Sequence, residues 1–150
     1  LKNNFIPHGM SASLRTIITV VCLLLLAPGS RAEEEDSASP VDVLMGRVSR
    51  DLKKLSRQFD NEAARASSLE LVDNMIKANA EAATLVPESV GDRSGEERDK
   101  YLARYREGMA DLGNVLVGLK AALEANDTGK AEALVDEAYA LRKKYHEELL

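Results

Sequence analysis

Apolar side chains return every three or four positions in four separate stretches of this chain. In the first, Val41, Met45, Val48, Leu52, Leu55 and Phe59 follow at alternating spacings of four and three. That is the stripe of a bundle helix with one buried face. It opens at Ser39-Pro40, a capping hydroxyl ahead of a proline at the first helical position, and ends near Asp60-Asn61. The second helix is predicted from Ser67, with Glu70 completing a capping box. Its stripe is Leu69, Val72, Ile76, Ala80 and Ala83, with Met75 beside it, and it stops before Pro87. Pro87 to Ser94 is the one long loop. A third helix starts at Ser94, with Glu97 as capping partner, and runs through Tyr101, Tyr105, Met109, Leu112, Leu116 and Leu119 to about Ala125. Asn126-Asp127-Thr128-Gly129 makes the turn into a fourth, carrying Leu134, Ala138, Leu141, Tyr145 and Leu149. No stretch shows the alternation of a strand. Short connections make neighbouring helices antiparallel, so the expected fold class is all-α, an antiparallel up-down-up-down four-helix bundle.

That topology sets which residues meet. The start of helix 1, the end of helix 2, the start of helix 3 and the end of helix 4 share one end of the bundle. Met45 lies near the start of the first helix and His146 near the end of the last. At a rise of ~1.5 Å per residue both stand roughly 6–8 Å from that end, at one level. Helix 2 offers Ala78, Ala80, Ala82 and Ala83 there, small side chains expected to leave room for a guest. The far end has Leu55, Phe59, Leu69, Leu119 and Leu123 to fill its own core.

The segment ahead of the helices changes the inventory. Lys2 and Arg15 precede an uncharged apolar run from Thr16 to Ala27, broken by Pro28-Gly29 and followed by Ser30-Arg31-Ala32. A charged start, a short apolar run and a small-x-small exit are the marks of a secretory signal peptide. The run is shorter than the ~20 residues of a spanning helix, the alternative being an uncleaved anchor. Residues 1–32 are therefore expected to be an upstream extension and a cleaved leader, with Met10 as the true start. Residues 33–39, opening Glu33-Glu34-Glu35-Asp36, are expected to be an acidic flexible tail, and residues 40–150 the bundle.

Cleavage would remove Cys22 and His8, leaving no cysteine and a single histidine, His146. This excludes disulfides, thiolate metal sites, a cysteine nucleophile and the C-x-x-C-H attachment of c-type haem. No set of nucleophile, base and orienting group is present, which argues against an enzyme. The formal charge of −5 becomes more negative once Lys2, Arg15 and Arg31 leave, and basic residues form no block. Nucleic acid is not an expected partner. The expected setting is the periplasm, with no stable membrane association after cleavage and a monomeric state. An acidic surface favours a basic partner, its encounter weakened by salt.

A methionine thioether and a histidine imidazole facing each other in a bundle suggest a haem held by ligation and packing alone. Together they leave no open position on the iron, and the thioether raises the reduction potential, which describes an electron carrier. Each residue also has a plainer role: Met45 as core filler, His146 as a cation at a helix C-terminus. Arg142, one turn before His146, can pair with a haem propionate or complement the helix dipole. Two other functions stay open. One is a haem-free helical binding or chaperone-like module. The other is a copper site, for which Met109 is the one further soft ligand.

An ordered set of motifs across all four helices resembles the soluble cytochrome b562 family over residues 40–150. Met45 is followed at the family's spacing by Asp51-Leu52-Lys53, and Met75 and Pro87 keep its methionine-to-proline separation. Arg106-Glu107-Gly108-Met109-Ala110-Asp111-Leu112 is similar to its Arg-x-Gly-aromatic-x-x-Leu stretch, and Leu116-Val117-Gly118 to a nearby Leu-Val-Gly. Arg142-Lys143-Lys144-Tyr145-His146 matches its Arg-x-x-Tyr-His segment. The resemblance implies a periplasmic four-helix-bundle electron carrier with one non-covalent haem b and an unidentified redox partner protein. It implies Met45 and His146 as axial ligands, with Arg142 and Tyr145 at the haem edge. Tyr105 and Met109 fall where the family places two pocket phenylalanines, so ring packing on the haem is altered. The chain between the ligands is longer than in the family, near Pro87 and before Gly129, in connections that tolerate insertion.

Overall fold

Ser39 and Pro40 start the first helix as their chemistry dictates. The Ser39 hydroxyl accepts the Asp42 amide at 3.1 Å, and proline fills a first-turn position whose N–H has no helical partner. The computed structural model of the chain describes residues 38–59 and 61–149. The expected leader and residues 33–37 of the acidic tail lie outside the described residues. Four helices follow: α1 (Pro40–Leu55), α2 (Arg65–Thr84), α3 (Gly95–Glu124) and α4 (Thr128–Leu149). Short 3-10 turns at Glu62–Ala64 and Glu88–Val90 lie in the first two connections. Each helix packs against its neighbour in sequence, as an up-down-up-down bundle requires. Close backbone approach is much sparser between α1 and α4, and that seam matters below. Among the described residues no helix is long and apolar enough to cross a membrane.

The core runs through all four helices: Leu44, Val48, Leu52 and Leu55 of α1, Leu71, Val72, Met75, Ala78 and Ala82 of α2, Leu112, Val115, Leu116, Leu119 and Ala122 of α3, and Ala131, Val135 and Ala138 of α4. The expected stripes are displaced in detail. Leu44 points into the core on α1, which leaves Met45 half-buried at its edge. On α2 the buried face is Ser68, Leu71, Val72, Met75, Ala78, Asn79 and Ala82, whereas Ala80 is exposed and Leu69, Ile76 and Ala83 half-buried. Ala80 contributes little apolar area, so the larger Leu71 and Met75 fix the helix rotation.

Helix ends differ from expectation for local reasons. α1 stops at Leu55 and the chain turns through residues 56–59, although Phe59 still packs on the core. α2 begins at Arg65, two residues before Ser67, because the 3-10 turn leads straight into it. The Ser67 hydroxyl donates back to the Ala64 carbonyl at 2.7 Å, and no capping box forms. Ser94 likewise makes no side-chain cap, the next residue, Gly95, standing at φ +53°. α3 ends in a Schellman motif: Asn126 takes φ +60°, its amide donates to Leu123, and the Asp127 amide to Ala122. Arg65 of α2 donates to the carbonyls of Leu123 and Glu124, both at 2.9 Å. α4 begins at Thr128, within the expected turn, because the Asp127 carboxylate caps the Lys130 amide at 3.0 Å.

Candidate functional site

A cavity of about 440 Å³ opens where α1, α3 and α4 diverge. That lies within the ~300–1,000 Å³ typical of small-molecule sites. Met45 of α1 and His146 of α4, separated by most of the chain, both line it. The other four residues singled out by sequence line it too: Tyr105 and Met109 of α3, and Arg142 and Tyr145 of α4. Val41, Leu112, Leu141 and Leu149 add apolar wall. The side chains of Arg142 and His146 are exposed, Met45 and Met109 are half-buried, and Tyr105 and Tyr145 are buried.

One expectation about this space is overturned. None of Ala78, Ala80, Ala82 and Ala83 lines the cavity. The buried Tyr105 ring is anchored there instead, its hydroxyl donating to the Ala82 carbonyl at 2.6 Å. The alanines of α2 thus make room for a tyrosine, and the vacant space lies along the α1–α4 seam. Burial, with the neighbouring Tyr101 adding to it, pushes the Tyr105 hydroxyl up to about 12. It stays a neutral donor at any physiological pH. Met109 is fixed from the other side, because the buried Asn79 amide donates to its carbonyl at 2.9 Å.

The loop after α2 supplies a wall the sequence did not reveal. Pro87, Glu88 and Ser89 line the cavity. The Ser89 hydroxyl is hydrogen-bonded to the Tyr101 hydroxyl. The Arg93 guanidinium lies 4.6 Å from the centre of the Tyr101 ring and donates to the Ser89 and Val90 carbonyls at 2.6 and 3.1 Å. Tyr101 therefore lines the site and ties the loop to α3, in addition to packing.

Beside His146, Tyr145 lies flat on α3. A Cβ added to Gly108 would stand 2.9 Å from its ring, so only glycine permits this seat. The Tyr145 hydroxyl donates to the Asp111 carboxylate at 2.5 Å. That bond, burial and the negative charge beside it push the hydroxyl up to about 12. Arg104 stands over the same ring, 4.6 Å from its centre, and is bonded to Glu107 and Glu148, which raise its pKa further. Sequence reading had placed Gly108 and Asp111 within one motif but gave no sign of their contacts with Tyr145 on α4, nor of Arg104, which reaches Glu148 there.

The donor set suits a haem. A thioether and an imidazole reach one largely apolar cavity from two helices, with a guanidinium at its exposed side to meet a carboxylate. Among the described residues no group of three His, Cys, Asp or Glu side chains is placed to hold a metal ion. One protein-family model, described as cytochrome b562, matches residues 41–149. No curated relative and no solved structure matches the chain.

Proposed function

The chain belongs to the cytochrome b562 family, whose members are electron carriers and not enzymes, and from that premise we propose that it carries one electron at a time on a non-covalent haem b ligated by Met45 and His146. The observation that carries the assignment is that these two side chains line one cavity from opposite sides of the open α1–α4 seam. Bound there, the haem supplies a one-electron iron couple whose potential the thioether raises. Met45 and His146 would hold the iron, one from α1 and one from α4. Val41, Leu112, Leu141 and Leu149 would exclude water from a bound haem, and Met109 would offer it a flexible apolar wall. Tyr105 is held on Ala82 as a fixed wall. Arg142 is available to a propionate at the solvent edge.

The leader pattern supports export to the periplasm, the usual location of the family. The acidic surface supports a basic redox partner, approached by charge steering that salt weakens.

A titration of the purified protein with haem, oxidised and then reduced, tests the assignment. Saturation at one equivalent with a sharp low-spin reduced spectrum is expected, lost in both Met45→Ala and His146→Ala. Binding indifferent to both substitutions would leave a haem-free helical module. A second reading has one observation in its favour: Met109 shares the cavity with Met45 and His146, so three soft donors are available to Cu(I). Tight Cu(I) binding without haem binding would select it.

A further inference from the structure

Whichever electron partner it meets, the chain must hold His146 still, and its position is unpromising. His146 lies in the last turn of α4, where the final carbonyls have no helical partners and helix ends fray. Its own side chain is exposed.

The neighbours of His146 on both sides are gripped by α3. One residue before it, Tyr145 is seated on Gly108 and donates to Asp111. Two residues after it, Glu148 accepts from Arg104 Nε at 2.6 Å. Arg104 joins the two, because its guanidinium also lies over the Tyr145 ring, and Glu107 holds it from behind at 2.6 Å. Lys144 Nζ lies 4.9 Å from the centre of the same ring. The Met45 side has nothing comparable. Among the described residues, no side-chain hydrogen bond or ion pair joins α1 to another helix; the Ser49 hydroxyl merely donates to the Met45 carbonyl within α1. α1 is held by its apolar stripe alone.

We propose that Arg104, Gly108 and Asp111 of α3 form a clasp that fixes the last turn of α4 before haem binds, so that His146 is a preformed ligand and Met45 the one that adjusts. Tyr145, Asp111 and Arg104 are then positioning residues: they act through His146. The inference rests on the haem reading above. Apolar packing resists separation of helices but lets side chains slide, whereas the directional bonds of Tyr145 and Arg104 define one register. Met45 suits the adjusting role, as an unbranched thioether with three rotatable bonds.

The test pairs amide exchange in the haem-free protein with haem release and reduction potential in the loaded protein. The variants are Tyr145→Phe, which keeps the ring on Gly108, Asp111→Ala, Asp111→Asn, which keeps an acceptor, and Met45→Ala as control. Loss of the hydroxyl bond is expected to speed exchange in the last two turns of α4 roughly five- to tenfold, the scale of one ordinary net hydrogen bond, since the Asp111 carboxylate is only half-buried. Haem should leave faster, with a growing high-spin fraction and a shifted potential. Asp111→Asn should recover most of what Asp111→Ala loses. Met45→Ala should leave α4 exchange unchanged. Unaltered exchange in Tyr145→Phe and Asp111→Ala would overturn the clasp. Faster exchange with haem release, spin state and potential all unchanged would overturn its role in placing the ligand. Haem binding that survives His146→Ala would instead sink the haem reading, and the ligand role with it.

Discussion

Two glycines ten residues apart on α3 should answer the same substitution with opposite signs. Replacing an interior helical glycine by alanine removes backbone entropy from the unfolded chain and gains ~0.8–1.0 kcal/mol. At Gly118 the new Cβ would meet the Leu134 methyls at 3.6 and 3.7 Å, ordinary contact distances. Gly118→Ala should therefore stabilise by about 1 kcal/mol and raise the melting temperature by roughly 4 °C for a bundle of this size. At Gly108 the new Cβ would stand 2.9 Å from both Cδ1 and Cγ of the Tyr145 ring and 3.2 Å from Cδ2. The ring is rigid and its hydroxyl is bound to Asp111, so it has no free end to swing aside. Overpacking of that kind costs ~1–3 kcal/mol, which offsets the propensity gain and leaves a net loss of up to about 2 kcal/mol. Thermal and urea unfolding of the haem-free variants would read the difference directly. A Gly108→Ala protein as stabilised as Gly118→Ala would show that Tyr145 does not occupy this seat, and would remove the physical basis for the clasp.

Other substitutions probe other parts of the bundle. Tyr105 is held protonated to about pH 12 in the folded state against an ordinary value of 10, so its contribution is complete below pH 10 and is lost as pH climbs from about 10 to about 12. Tyr105→Phe should flatten the fall of stability with pH across that window in alkaline unfolding curves; an unchanged slope would refute the burial argument. Asn79 is buried with one side-chain bond, to the Met109 carbonyl, and its Oδ1 has no partner among the described residues. Because an apolar replacement removes that uncompensated atom, Asn79→Leu should be neutral or stabilising by up to about 1 kcal/mol in urea, and a loss above about 2 kcal/mol would show that the amide has a partner. Arg65→Ala takes two bonds from the end of α3 and should cost about 1–2 kcal/mol, with faster amide exchange confined to residues near Leu123. Uniformly faster exchange across the bundle would assign Arg65 a broader packing role.

The fold was legible because four amphipathic stripes with short connections admit few arrangements. What periodicity misjudged was rotation and phase. A stripe through Met45 and one through Leu44 differ by one position, and both satisfy the spacing. The core prefers the branched leucine, which packs from its buried position, and so turns the methionine toward the seam. The capping boxes failed for a related reason. Ser67-x-x-Glu70 and Ser94-x-x-Glu97 have the required residues, but a 3-10 turn running into α2 and a left-handed Gly95 at the start of α3 changed the chain path that a box needs. Such motifs state what a sequence can do at a helix start, while the backbone arriving there decides it.

The site was legible to the extent that its members are set by level along the bundle. Level follows from counting residues, which is why Met45 and His146 share one cavity; Tyr105, Met109, Arg142 and Tyr145, which the family resemblance marked, line it as well. Which side of the bundle stays open does not follow from counting. The alanines of α2 pointed to space beside that helix, but the side chain opposite them on α3 is a tyrosine large enough to fill it. The surplus volume moved to the seam between α1 and α4, where close backbone approach is sparse. That displacement favours the proposed chemistry, since the seam is flanked by the two helices that carry Met45 and His146, and both side chains line it. The asymmetry between the two ligand arms was less legible still. Nothing in the sequence separates Arg104, Asp111 and Glu148 from other charges on helix surfaces, where single ion pairs contribute little. They gain consequence because three of their contacts fall on the one turn that carries His146.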